Sequence, residues 1–156
     1  MASIQSELIL LQYIGENIAL FCGGLFSGAT LYICLTERPP RTALGFADLL
    51  ALSRANSGPT NAFLIALSAL TALAAMIATV AGAGIWWFAG GLAHVAALFV
   101  LLTKVAAIDG ELAELQADDA VEAAAAAKKL LQRQTVYFSA LCLIGLAAQY
   151  LFIVKR

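Results

Sequence analysis

Charge is what this 156-residue chain has least of: 12% of its residues are Asp, Glu, Lys or Arg. A soluble domain carries about a quarter. The shortage excludes an ordinary water-soluble domain, and without any basic stripe a net charge of −1 excludes an electrostatic nucleic-acid partner. Histidine occurs once and proline three times. With so few ligand-type residues, a metal site has only a thin donor set of one His, one Glu and Met76. There is no G-x-S-x-G, no phosphate-cradling glycine loop, no C-x-x-C and no H-E-x-x-H. The three cysteines, Cys22, Cys34 and Cys142, sit inside apolar runs and read as small packing residues rather than a disulfide framework. No Lys or Arg falls among the first 20 residues, so the basic start of a signal peptide is missing and the first apolar run is expected to be retained.

What the chain does have is hydrophobicity, 62% by residue type with a mean hydropathy of +0.89. It is concentrated in four runs near residues 8–35, 61–81, 85–103 and 135–154. Each is close to the ~20 apolar residues that cross the ~30 Å hydrocarbon of a bilayer. The expected fold is therefore all-α: a single domain over residues 1–156, an integral membrane antiparallel four-helix bundle in contact with lipid. Runs two and three are joined only by Ala81–Gly84, a tight hairpin, and Trp86 and Trp87 follow at a position suited to the membrane–water interface. The other two connections carry Arg38, Arg41, Arg54, Lys104, Lys128, Lys129 and Arg133, against Lys155 and Arg156 on the opposite side. The positive-inside rule then places both long connections in the cytoplasm and both termini outside, as in a bacterial inner-membrane protein.

"DDAVEAAAAAKKLLQRQ" reads as helix, with Asp119 and Glu122 spaced as a capping box. Runs three and four are thus expected to extend into the cytoplasm as a helical hairpin turning near Gln116. In the first connection, "FADLLALSRANSGPT" predicts a short interfacial helix stopped at Gly58-Pro59 before run two begins.

On run one, Glu16, Gly23, Ser27, Thr30, Cys34 and Glu37 recur on one face, bordered by Gly24 and Gly28 in G-x-x-x-G spacing. Ionisable groups inside a membrane are expensive and face a partner or a cavity. Glu16, Asn17, His94 and Gln149 fall at comparable depth and are candidates for a shared polar layer. Such a layer either joins helices by hydrogen bonds or forms a ligand or proton site, for instance for a quinone-like ring.

Where run one ends, "TERPPR" concentrates charge. It is either a membrane-surface stop or a polar cluster in which Glu37 and Arg41 meet Tyr32 or bases on runs three and four. "GLFSGATLYICLTERPPR", residues 24–41, resembles the motif of a family of small four-span membrane proteins that includes the anthrone-oxygenase-like proteins. By that resemblance Tyr32, Glu37, Pro39 and Arg41 carry over, while Arg38 stands where the family often has His. "KVAAIDGEL" resembles a degraded form of the family's Pro-x-Asn-x-x-Leu, with Asp109 in the Asn place. The resemblance implies oxygenation of an electron-rich phenolic carbon by dioxygen without cofactor. Tyr32, Glu37 and Arg41 would be its catalytic groups. The competing reading is a non-catalytic accessory subunit or helix-packing partner of other membrane subunits. Small-residue faces turned outward would favour that reading, and a sealed internal cavity the enzyme.

Overall fold

The computed structural model describes residues 2–37, 44–115 and 120–154, and they are almost entirely helical. Helix α1 spans Ala2–Tyr32 and runs on into a π-helical turn, Ile33–Glu37. Helix α2 spans Phe46–Val80. Helix α3, Ile85–Val100, passes through a second π-helical turn, Leu101–Val105, into α4, Ala106–Glu114. Helix α5 spans Ala120–Val154. Four segments, Ile4–Glu37, Ala47–Val80, Ile85–Glu114 and Val121–Val154, are long and apolar enough to cross a membrane.

The helices pack in a closed ring, with α1 and α3 each lying against both α2 and α5. Small residues set the contacts. A Cβ on Gly15 would lie 2.9 Å from the Ala74 carbonyl oxygen and 3.0 Å from the Ala78 nitrogen, so α1 and α2 touch backbone to backbone. Helices α2 and α3 join through Ala81–Gly84, where Gly82 takes φ +116°, a conformation that side chains other than glycine rarely adopt. Three apolar clusters follow one another along the bundle. Near the α2–α3 turn, alanines surround Trp87 and Phe152, which stack with ring centroids 4.6 Å apart. A middle cluster holds Phe26, Leu64, Leu101 and Phe138. At the far end Leu49, Ile108, Leu112, Leu130 and Leu131 close the extension formed by α4 and the first turns of α5.

Two expectations change. Gly58-Pro59 stops nothing: α2 runs unbroken through Pro59. Proline removes one backbone hydrogen bond, which costs about 3 kcal/mol in a helix interior. Here the buried face is continuous on both sides of it, with Leu49 and Ser53 before Pro59 and Leu64, Leu67 and Ser68 after. That shared packing holds the helix together. Trp87 does not sit at a water interface: it is buried against Phe152, and only Trp86 is exposed. The helical extension of the third and fourth apolar runs is present, as α4 and the start of α5. Its turn near Gln116, and Asp119 of the capping box, lie outside the described residues.

Candidate functional site

Most hydroxyls of the inward stripe satisfy themselves within their own helix. Ser27 donates to the Gly23 carbonyl at 2.8 Å, Thr30 to Phe26 at 2.9 Å and Thr71 to Leu67 at 2.7 Å. Such back-bonding lets small polar residues line a helix contact without needing a cross-helix partner. Polar bonds between helices gather instead at two places.

The first is in the middle of the ring. His94 on α3 is fully buried, edge-on to Phe26, and Ser68 donates to its carbonyl oxygen at 2.8 Å while lying 3.4 Å from its Nδ1. His94 Nε2 and Gln149 Nε2 make no hydrogen bond with any described residue. A Cβ on Gly23 would run into the Gln149 amide and lie 3.3 Å from His94 Nε2, so the two nitrogens converge on the notch left by that glycine. The structure therefore brings His94 and Gln149 together. Glu16 is buried, 6% exposed, and accepts a 2.8 Å bond from Gln12, but it lies two helical turns, ~10 Å, along α1 from Gly23. Asn17 is exposed and donates to the Tyr13 carbonyl of its own helix.

The second place is the far end of the bundle, where the middle cluster gives way to the extension. Its hub is Asp109 on α4. Asn61 of α2 donates to Asp109 Oδ2, and Gln134 of α5, itself buried, donates to Oδ1 at 2.8 Å. One carboxylate thus ties three helices. Two cavities open from it. A small one of about 20 Å³ is lined by Glu37, Asp109, Ser53, Asn56, Ser57, Thr60 and Gln134, with Ile33 and Phe138 as its apolar wall. A larger one of about 160 Å³ is lined by Leu50, Ser53, Arg54, Ser57, Asp109, Leu112 and Ala113. Arg54 reaches across from α2 to donate to the Ala113 carbonyl at 3.1 Å, which holds its guanidinium beside this cavity.

Of the charge knot, Glu37 is half-buried and borders the smaller cavity. Tyr32 is 57% exposed and is not among the residues lining either cavity. Arg38, Pro39, Pro40 and Arg41 lie outside the described residues. Lys104 and Arg133 are exposed. The residues that sequence reasoning passed over are Asn61, Gln134, Arg54 and the α2 stripe Ser53, Asn56, Ser57 and Thr60. That stripe has the i, i+3, i+4, i+7 spacing of one helix face. Reading Gly58-Pro59 as a break hid it. No family model, curated protein or solved structure matches this chain.

Proposed function

We propose that the chain is a multi-pass membrane protein, an antiparallel four-helix bundle of the bacterial inner membrane with both termini outside. Its cytoplasmic end, around Asp109, receives a single-ring phenolic or quinone-like molecule for cofactor-independent oxygenation. The observation that carries this reading is one cavity holding a carboxylate, a guanidinium and apolar walls. Asp109 and Arg54 line it together with Leu50, Leu112 and Ala113. Its volume of about 160 Å³ suits one aromatic ring, since about 150 Å³ is enough for benzene. A three-ring anthrone is too large for it.

In this cavity Asp109 takes the phenolic proton and Arg54 steadies the oxyanion that results. The ring carbon para to the oxygen, made electron-rich, is then oxidised by dioxygen. A phenol and one dioxygen give a quinone and one water, so no other reductant is consumed. Asp109 occupies the Asn place of the motif resemblance and Glu37 its Glu place, and both border the same small cavity. Arg54 takes the part first assigned to Arg41. Tyr32, with its ring exposed, has no share in this scheme.

The accessory-subunit reading is favoured by a different observation. Gly24 and Gly28 are exposed, and a Cβ on either would meet nothing within 4 Å. The G-x-x-x-G face of α1 is thus turned away from this chain's own helices, as a face that packs against another membrane helix would be.

Dioxygen consumption separates the two. Purified protein in mild detergent with a chelator present should consume dioxygen when given a phenol, and Asp109→Asn and Arg54→Gln should each slow it at least ~100-fold. Equal uptake by parent and both variants, or none by the parent, refutes the enzyme reading.

A further inference from the structure

All four long helices meet at the Gly23 notch. Gly23 belongs to α1, Ser68 and Thr71 to α2, His94 to α3 and Gln149 to α5. His94 is 0% exposed, and its Nε2 and the buried Nε2 of Gln149 bond to no described residue. A Cβ on Gly23 would overlap the Gln149 nitrogen and lie 3.3 Å from the His94 nitrogen, so the two are under about 6 Å apart. Two buried polar atoms that close together are costly unless a third group joins them.

The hydrogen on the His94 ring can be traced through its neighbour. Ser68 has one hydroxyl hydrogen, and it is committed to the His94 carbonyl oxygen at 2.8 Å. In the 3.4 Å contact between Ser68 Oγ and His94 Nδ1, the ring nitrogen is therefore the donor. A charged imidazolium buried edge-on to Phe26, bonded to no described carboxylate, would be an uncompensated charge, so the ring is neutral. The bonding pattern thus assigns the proton to Nδ1 and leaves a bare lone pair on Nε2. The Gln149 amide nitrogen can only donate. One acceptor and one donor face the same spot.

We infer that the Gly23 notch binds one hydroxyl group, that of a water molecule, which donates to His94 Nε2 and accepts from Gln149 Nε2. The guest must do both, and that requirement is selective. The amide hydrogens repel a cation, and the lone pair on Nε2 repels an anion. A quinone carbonyl accepts but cannot donate. A hydroxyl does both, and one oxygen at about 2.9 Å from each nitrogen holds them roughly 4.7 Å apart, inside the limit set by the notch. The Thr71 methyl, 3.1 Å from the position a Gly23 Cβ would take, and the Phe26 ring beside His94 crowd the spot, which favours water over an aromatic hydroxyl. The bound water would tie α3 to α5 across α1 and hold His94 in one tautomer. The site lies apart from the Asp109 cavity and needs no phenol and no turnover.

His94 is the only histidine, so nitrogen-15 labelling of histidine in the full chain gives a single pair of ring signals. Solid-state NMR of the protein in lipid bilayers should find Nδ1 protonated and Nε2 bare, with magnetisation passing from water protons to Nε2. Gln149→Leu removes the donor while keeping most of the bulk, and should cut that transfer severalfold. Gly23→Ala, which displaces the Gln149 amide, should do the same. A proton on Nε2 in the parent would overturn the inference. So would an absence of transfer from water, or transfer that both variants leave unchanged. Transfer from added phenol in place of water would overturn the assignment of the hydroxyl to water.

Discussion

Replacing Asp109 with leucine removes the acceptor shared by Asn61 and Gln134 and leaves both amides facing an apolar side chain. A buried donor without a partner costs about 1–3 kcal/mol. Gln134 is 5% exposed and bears that cost in full, whereas Asn61 is half-buried and takes the lower end of the range. Asp109→Leu should therefore destabilise the protein by about 2–4 kcal/mol. Asp109→Asn should cost about 1–2 kcal/mol, because it keeps one acceptor oxygen and the Asn61 amide can turn to present its own. A cycle with Gln134→Leu checks the cause. In that background Asp109→Leu should lose about half to three-quarters of its effect, since the more costly of the two stranded donors has gone. Reversible unfolding in mixed detergent micelles reads all four proteins. If Asp109→Leu stays within about 0.5 kcal/mol of the parent, Asp109 is not the tie between α2, α4 and α5 and the reasoning fails.

The glycines of α1 make a paired prediction. Gly15→Ala drives a methyl into the backbone of α2 at Ala74 and Ala78 and should cost about 1–3 kcal/mol, while Gly24→Ala meets open space and should be neutral or stabilise by up to about 1 kcal/mol in the isolated chain. Equal losses from both would mean α1 faces the other way. Gly90→Ala should also destabilise by about 1–3 kcal/mol, because its methyl would press into the Phe152 ring stacked on Trp87, and a quenched or shifted tryptophan emission would report it. Orientation is testable by cysteine labelling in intact cells: a cysteine at position 120 should resist reagents from the periplasmic side, and strong labelling there would reverse the topology.

Much of the architecture was legible because helical periodicity is written directly into composition. Glu16, Gly23, Ser27 and Thr30 repeat on one face and are buried on one face. The Ala81–Gly84 turn announced itself by its shortness. The site was legible only in part. Glu37 and Asp109 stood out through a motif, but nothing local marks Asn61 or Gln134 as their partners, since each is one polar residue beside a long apolar run. Their pairing is a property of how α2, α4 and α5 meet, with sequence separations of 48 and 25 residues. Proline misled for a similar reason. Its local cost is fixed, whereas the packing of Leu49, Ser53 and Leu64 that holds α2 together is non-local. His94 and Gln149 come together at the Gly23 notch, but depth alone does not separate them from Asn17, whose outward facing is a matter of rotation about the α1 axis.

The central claim is that the Asp109–Arg54 cavity is where a small phenol binds. The most direct measurement is photolabelling of the purified protein with a single-ring phenol carrying a small diazirine, followed by mass spectrometry of the labelled peptides. The account predicts label on Leu50, Leu112 or Ala113, competed away by excess plain phenol and lost in Ala113→Trp, which fills the cavity. Label confined to the apolar groove lined by Leu8, Leu11, Met76, Ile77 and Val80 at the other end of α2, undiminished by competitor or by Ala113→Trp, would contradict it.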